Sequence, residues 1–205
     1  MLHLSTVDRS TFSLLEDIFK LPFVKKNFGL AGGTSLSLQI GHRKSIDLDL
    51  FSPISFSPKE TENTLASSSS WHYEPMSQSE RMLFCYLNKV KCDFVYEPFP
   101  LINPFLEENG VKFYSLADIA AMKMHTICGR GKKKDFFDIY TLLQLYDWKQ
   151  MLEWFSQKYD KSQFFFLWKS ITYFKDADND VDIRGIEPYD VSWAEVKETI
   201  LKKCK

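Results

Sequence analysis

Asp47 and Asp49 stand two residues apart in the run Ser45-Ile46-Asp47-Leu48-Asp49-Leu50, and the triplet Gly32-Gly33-Thr34 lies a short helix upstream. Carboxylates at alternate positions of a strand point to the same side. A glycine pair lets the backbone close on an anion, and the amides at a helix start stay free to donate to it, with the helix dipole in support. A phosphate-sized backbone pocket beside paired carboxylates suits nucleotide chemistry on magnesium, an ion that favours carboxylate and phosphate oxygens. Asp93, inside a second strand-like segment, is the candidate third carboxylate. It would bind a second metal ion and help deprotonate an attacking hydroxyl. An isolated Asp-x-Asp also fits the solvent face of an amphipathic strand. The glycine turn tips the reading towards a site, because a solvated face needs no phosphate cradle.

The elements that must position these residues follow from pattern. Phe12, Leu14, Leu15, Ile18 and Phe19 recur at helical spacing, and Pro22 divides the segment 11–27 into two short helices. Residues 28–31 read as a short strand ending at the glycine pair, and 34–40 as a helix closed by Gly41. From Ser45 to Phe51, alternation puts Ile46, Leu48 and Leu50 on one face and Asp47, Asp49 and Phe51 on the other. Ser57-Pro58-Lys59-Glu60 opens a helix running to about Ala66, and the serine run Ser67–Ser70 is a loop. Strands are expected over 71–74, 81–87 and 90–96, the last two joined at Asn88-Lys89. A proline-bearing connection, 97–110, leads to Ser115-Leu116-Ala117-Asp118, another capping-box start. Helices are expected over 116–128, 135–146, much of 148–174, and 192–203. The expected organisation is therefore a mixed-sheet core over 1–110 and a helical subdomain over 111–205 that closes the cleft.

Composition narrows the function classes. With 205 residues of which 44% are hydrophobic, the chain can bury one substantial core. A net charge of −1 removes any global polycation, so nucleic-acid contact would depend on local patches. No basic stretch leads into a long apolar segment, and Phe164–Trp168 is too short to span a bilayer, so a cytoplasmic protein with no membrane partner is expected. Cys85, Cys92, Cys128 and Cys204 form no CxxC pair and read as buried free thiols.

Two stretches resemble the polymerase-beta-like nucleotidyltransferases, and within them the AbiEii/AbiGii toxin-like group. The first is Gly33-Thr34 with His42-Arg43-Lys44-Ser45-Ile46-Asp47-Leu48-Asp49-Leu50-Phe51. It is similar to a glycine turn followed by a basic-residue, Ser-x-Asp-hydrophobic-Asp segment, with Thr34 where serine is more usual. The second is Leu116–Lys123, then Arg130, then Lys134-Asp135-Phe136-Phe137-Asp138-Ile139. The resemblance spans roughly 28–143. It implies an α/β (α+β) fold, a nucleotidyltransferase-like mixed sheet flanked by helices, and a metal-dependent transfer of NMP from an NTP to a hydroxyl. It also implies a tRNA or other RNA acceptor and an antitoxin protein as partner.

By carry-over, Lys123 would contact the triphosphate, Asp135 or Asp138 would be a further essential acid, and Arg130 a local charge partner. Gly32, Gly33, Thr34, Arg43 and Ser45 complete the nucleotide-binding set, and Asp47, Asp49 and Asp93 the metal set. Each has a plainer reading. Lys123 could be a surface lysine, Asp135 a helix N-cap, and Arg43 an exposed loop residue. The basic run Gly129–Lys134 could touch RNA phosphates, though solvation is the commoner fate of such runs. His42 and His125 lack partners at ligand spacing, and the aromatic cluster 159–174 reads as core. A nucleotide-binding or protein-interaction module without turnover is the alternative, and a phosphotransferase on the same metal site a third.

Overall fold

The computed structural model describes residues 1–205. Seven strands form one sheet: β1 Gly29–Leu30, β2 Leu48–Ser52, β3 Tyr73–Gln78, β4 Met82–Leu87, β5 Val90–Tyr96, β6 Leu106–Glu108 and β7 Val111–Phe113. Their spatial order is β3-β4-β5-β2-β1-β7-β6. β2 runs parallel to β5 and β1 parallel to β7, while the remaining neighbours are antiparallel. Nine helices surround it: α1 Arg9–Phe19, α2 Pro22–Asn27, α3 Gly32–Ile40, α4 Pro58–Ala66, α5 Leu116–Gly129, α6 Lys133–Leu145, α7 Trp148–Lys158, α8 Gln163–Ser170 and α9 Trp193–Lys203. No helix is long and apolar enough to cross a membrane.

Local chemistry accounts for many of the boundaries. Pro22 opens α2, and Gly41 closes α3 at φ +84°, a left-handed conformation that a side chain disfavours. Ser57 and Ser115 accept from the amides of Glu60 and Asp118 at the starts of α4 and α5. Asn88 and Lys89 both have positive φ, at 50° and 66°, which gives the β4–β5 hairpin the twist a two-residue turn requires. Asn109 and Gly110 repeat that device between β6 and β7.

This second hairpin spans residue 110, where the division was expected. β7 pairs with β1 in the interior of the sheet, so the sheet half continues through Phe113 and the helical half opens at Ser115. Residues 97–110 are therefore not merely a linker, because they contain β6.

The two hydrophobic clusters lie on either side of this arrangement. One gathers Leu48, Leu50, Leu83, Cys85, Phe94 and Phe113 from the sheet with Phe12, Leu15, Ile18 and Phe19 of α1. The other belongs to α5, α6, α7 and α9, joined by Leu36 of α3 and Tyr114. The opposite face of β2 and β5 is left to line a cleft beneath the helical half. Ile46 is not part of the core: β2 begins only at Leu48, and Ile46 is 65% exposed. The aromatic run is likewise only partly core, since Phe165, Phe166, Trp168 and Tyr173 are exposed while Tyr159 and Leu167 are buried.

Phe94 has no exposure and meets Phe28 edge-on at 5.6 Å. Phe94→Ala is expected to cost about 3–5 kcal/mol in urea denaturation, against about 0.5 kcal/mol or less for Ile46→Ser. Equal losses would mean that the strand starts earlier than described.

Candidate active site

β2 and β5 are paired in parallel with Asp49 opposite Asp93, so their carboxylates stand side by side on the cleft face. Gly32, in the first turn of α3, lies directly over them. Its φ is +66°, and a methyl group there would fall 1.9 Å from Asp49 Oδ2. Only a glycine allows the helix start to come so close to that carboxylate. No side chain caps α3, so the first amides of the helix remain available to an anion.

The acidic pair carries more negative charge than its surroundings cancel. Burial, reinforced by Asp93 and Asp47, pushes the Asp49 carboxyl up to about 6. Asp93 pairs through Oδ2 with the ammonium of Lys91 on the same strand, and its Oδ1 is buried with no hydrogen-bond partner. Asp47 is placed differently from expectation. It precedes the first ladder residue of β2, and its nearest counter-ion is Lys134 at 3.8 Å. No three acidic, imidazole or thiol groups are gathered closely enough to hold a metal by themselves. The unpartnered Asp93 oxygen and the raised Asp49 nevertheless fit a divalent cation, of the kind held by one or two carboxylates and completed by phosphate oxygens.

Opposite the acids lies a buried ionic cluster centred on Asp138. Its Oδ1 accepts from Arg43 Nε and His42 Nε2, both at 2.7 Å. Its Oδ2 accepts from Arg43 Nη2 at 2.9 Å and lies 2.6 Å from Lys123 Nζ. Lys123 also donates to Asp135 Oδ1 at 3.0 Å, and Arg130 Nε lies 3.6 Å from Asp135 Oδ2. Against the cost of burial, Arg43 and Lys123 hold Asp138 well below the usual carboxylate range. Burial lowers the pKa of His42, so its neutral ring donates through Nε2 while Nδ1 is left without a partner.

For several residues the plainer reading gives way. Lys123 is no surface lysine, and Asp135 is no N-cap: Lys132 holds that position, and Asp135 sits one turn inside α6. Arg43 is buried rather than exposed, and a methyl group at Gly33 would fall 2.3 Å from its Nη2. Thr34 is buried below the cleft, where its hydroxyl donates to the Asp47 carbonyl and accepts from Ser45 Oγ at 2.8 Å. It ties the Ser45–Asp47 segment to α3 and does not itself line the cleft. In the basic run, Lys133 is buried against Asp180 and Asp182, while Arg130 and Lys134 reach the cleft.

The cleft measures about 340 Å³ and brings together Gly32, Gly33, Arg43, Ser45, Asp47, Asp49, Asp93, Lys123 and Arg130. Thr34 and Asp135 support it from behind. It also contains Lys134 of the basic run, His125 and Tyr159, together with Lys91 and Glu97, to which sequence assigned no role. Strand periodicity could have found Lys91 and Glu97, which share a face with Asp93. Nothing local could have paired His42 with Asp138.

A mixed sheet with an acid pair beneath a helix N-terminus, facing a buried ionic cluster across one cleft, is suited to nucleotidyl transfer. The family profile described as "Nucleotidyl transferase AbiEii toxin, Type IV TA system" matches residues 13–201, and the chain belongs to that family. It is 37% identical over 190 residues to an uncharacterized protein of Aquifex aeolicus, covering 87% of each chain. Its fold is similar to that of MenT4, a nucleotidyltransferase toxin from Mycobacterium tuberculosis. That likeness has a TM-score of 0.57 at 13% identity and covers 96% of this chain and 84% of the other.

Asp138→Asn is expected to destabilise the protein by about 3–5 kcal/mol at neutral pH, because two buried cations lose their common partner. The folded-state pKa of Asp138 lies below the ordinary 3.8, so its contribution is complete above that value and drains away as pH falls further. Denaturation at pH 7 and pH 3 should therefore show the gap between wild type and variant narrowing in acid. A gap independent of pH would overturn this account of the cluster.

Proposed function

We propose that this nucleotidyltransferase moves a nucleoside monophosphate from an NTP to a hydroxyl on RNA, with magnesium at Asp49 and Asp93. It would act as the toxin of a toxin–antitoxin pair, with an antitoxin protein as its partner. The observation that carries the reading is the in-register pair Asp49 and Asp93 under Gly32, facing the Asp138 cluster across one cleft.

A bound magnesium would offset charge on the phosphates and on the attacking oxygen. The chain's own residues do the rest. Amides at the start of α3 and the guanidinium of Arg43 receive phosphate oxygens, and Lys123 adds a fixed positive charge from the helical side. Asp93, whose buried Oδ1 has no partner within the chain, would share in holding that ion and in taking the proton from an incoming hydroxyl. Asp47, at the rim, supplies a further carboxylate to the mouth of the cleft. An RNA acceptor is supported by Arg130 and Lys134 at that mouth and by the toxin family to which the chain belongs.

Incubation with total RNA and α-labelled NTPs should label the RNA, whereas γ-labelled NTPs should not. Label arriving only from the γ position would make the protein a phosphotransferase, and label from neither would make it a silent binder. Asp49→Asn should lower transfer at least about a hundredfold. The same variant should hold or raise the denaturation midpoint at pH 7. Because the Asp49 pKa is raised to about 6, its ionisation costs the folded state stability as pH rises from about 4 to about 6. A lowered midpoint with intact transfer would remove Asp49 from the site.

A further inference from the structure

The cleft has a second end that the acidic chemistry leaves unused. Lys91, Asp93 and Val95 alternate onto its floor along β5, and Glu97 continues the row. The amide of Glu97 extends the ladder by donating to the Ser52 carbonyl at 2.8 Å, so its backbone is fixed like that of the strand. Four residues of strand carry it about 13 Å from Asp93. Over that distance the lining changes character. Phe51 and Val95 form the floor, and Ile119, Met122 and Tyr159 form the wall.

Glu97 is held for use rather than spent. The Tyr159 hydroxyl donates to its Oε1 at 3.1 Å, while Oε2 makes no hydrogen bond within the chain. The Tyr159 ring is itself immobilised, stacked on His125 at 4.2 Å between centroids and met edge-on by Phe99 at 4.7 Å. A half-buried carboxylate with one oxygen anchored and the other without a partner in the chain, at the apolar end of a polar cleft, is free to accept from a ligand that donates.

We propose that Glu97 reads the base of the bound nucleotide, its Oε2 accepting from the exocyclic amino group of adenine, cytosine or guanine. The inference rests on the nucleotidyl-transfer reading: with the phosphates at Asp49 and Asp93, the nucleoside extends along β5 towards Glu97. An ionised carboxylate is acceptor-only, so it welcomes an amino group and repels the carbonyl that uracil presents in its place.

The test is calorimetric binding of non-hydrolysable α,β-methylene analogues of ATP, CTP, GTP and UTP, with magnesium present. At least one amino-bearing nucleotide should bind the wild type about tenfold or more tighter than the uridine analogue. In Glu97→Gln the side-chain carbonyl keeps the Tyr159 bond and the amide N–H now faces the base. That preference should then collapse or turn towards uridine. Glu97→Ala, in case the amide variant fails to fold, should abolish the preference without creating the new one. Equal binding of all four analogues by wild type, or a ranking unchanged in both variants, overturns the role of Glu97 and leaves nucleotidyl transfer standing. Failure of every analogue to bind overturns both.

Discussion

The carboxylate of Asp138 is the joint on which the molecule turns. It rises from α6 in the helical half and receives His42 and Arg43 from the connection between α3 and β2, in the sheet half. Lys123 from α5 completes the set. A carboxylate offers about four lone-pair sites, and here four donors face it. Once His42 is neutral, two buried acids, Asp135 and Asp138, face two buried cations, Arg43 and Lys123, so the cluster is balanced without solvent. Such a group stabilises weakly against an apolar replacement, yet losing one member strands the others. Its use is geometric: it fixes how the sheet and the helices face each other, and hence the width of the cleft.

The two walls of that cleft follow opposite electrostatic rules. On the helical side every buried cation has an anion within the chain. On the sheet side Asp49 and Asp93 stand together with only Lys91 in direct contact, and Asp49 is raised accordingly. A fold optimised for stability would have neutralised that pair. Keeping it costs the folded state near neutral pH, which is the usual mark of a site whose missing charge comes with its ligand.

Much of this was legible because it depends on short-range rules. The β4–β5 hairpin, the capped starts of α4 and α5 and the Pro22 break were all readable from neighbouring residues. So was the placement of Asp49 on the face opposite its flanking core leucines. What escaped depends on distant partners. β6 looked like linker because its three residues gain strand geometry only by pairing with β7. Ile46 matched the alternation, but no neighbouring strand reaches it. His42 and Lys123 had no visible counter-ion because Asp138 and Asp135 are brought to them only by the packing of α6. The exposed face of α8 reversed the expectation for an aromatic run for a related reason: hydrophobicity predicts burial only where another element arrives to cover it.

The same cluster explains how cations can be both locked and available. An ammonium has three donors, and Lys123 spends two of its own on Asp138 and Asp135. A guanidinium has five, and Arg43 spends three, on Asp138 and the Lys44 carbonyl. Each retains capacity while its position is already set, so a phosphate can be added to the network without first breaking it. Rotamer entropy and desolvation, the two costs that make flexible surface lysines poor electrostatic catalysts, have been met in folding. That is why the acids opposite can remain incompletely neutralised, with Lys91 their one direct partner: the positive charge that would otherwise collapse onto them is held across the cleft by Asp138, leaving the space between for a ligand that satisfies both walls.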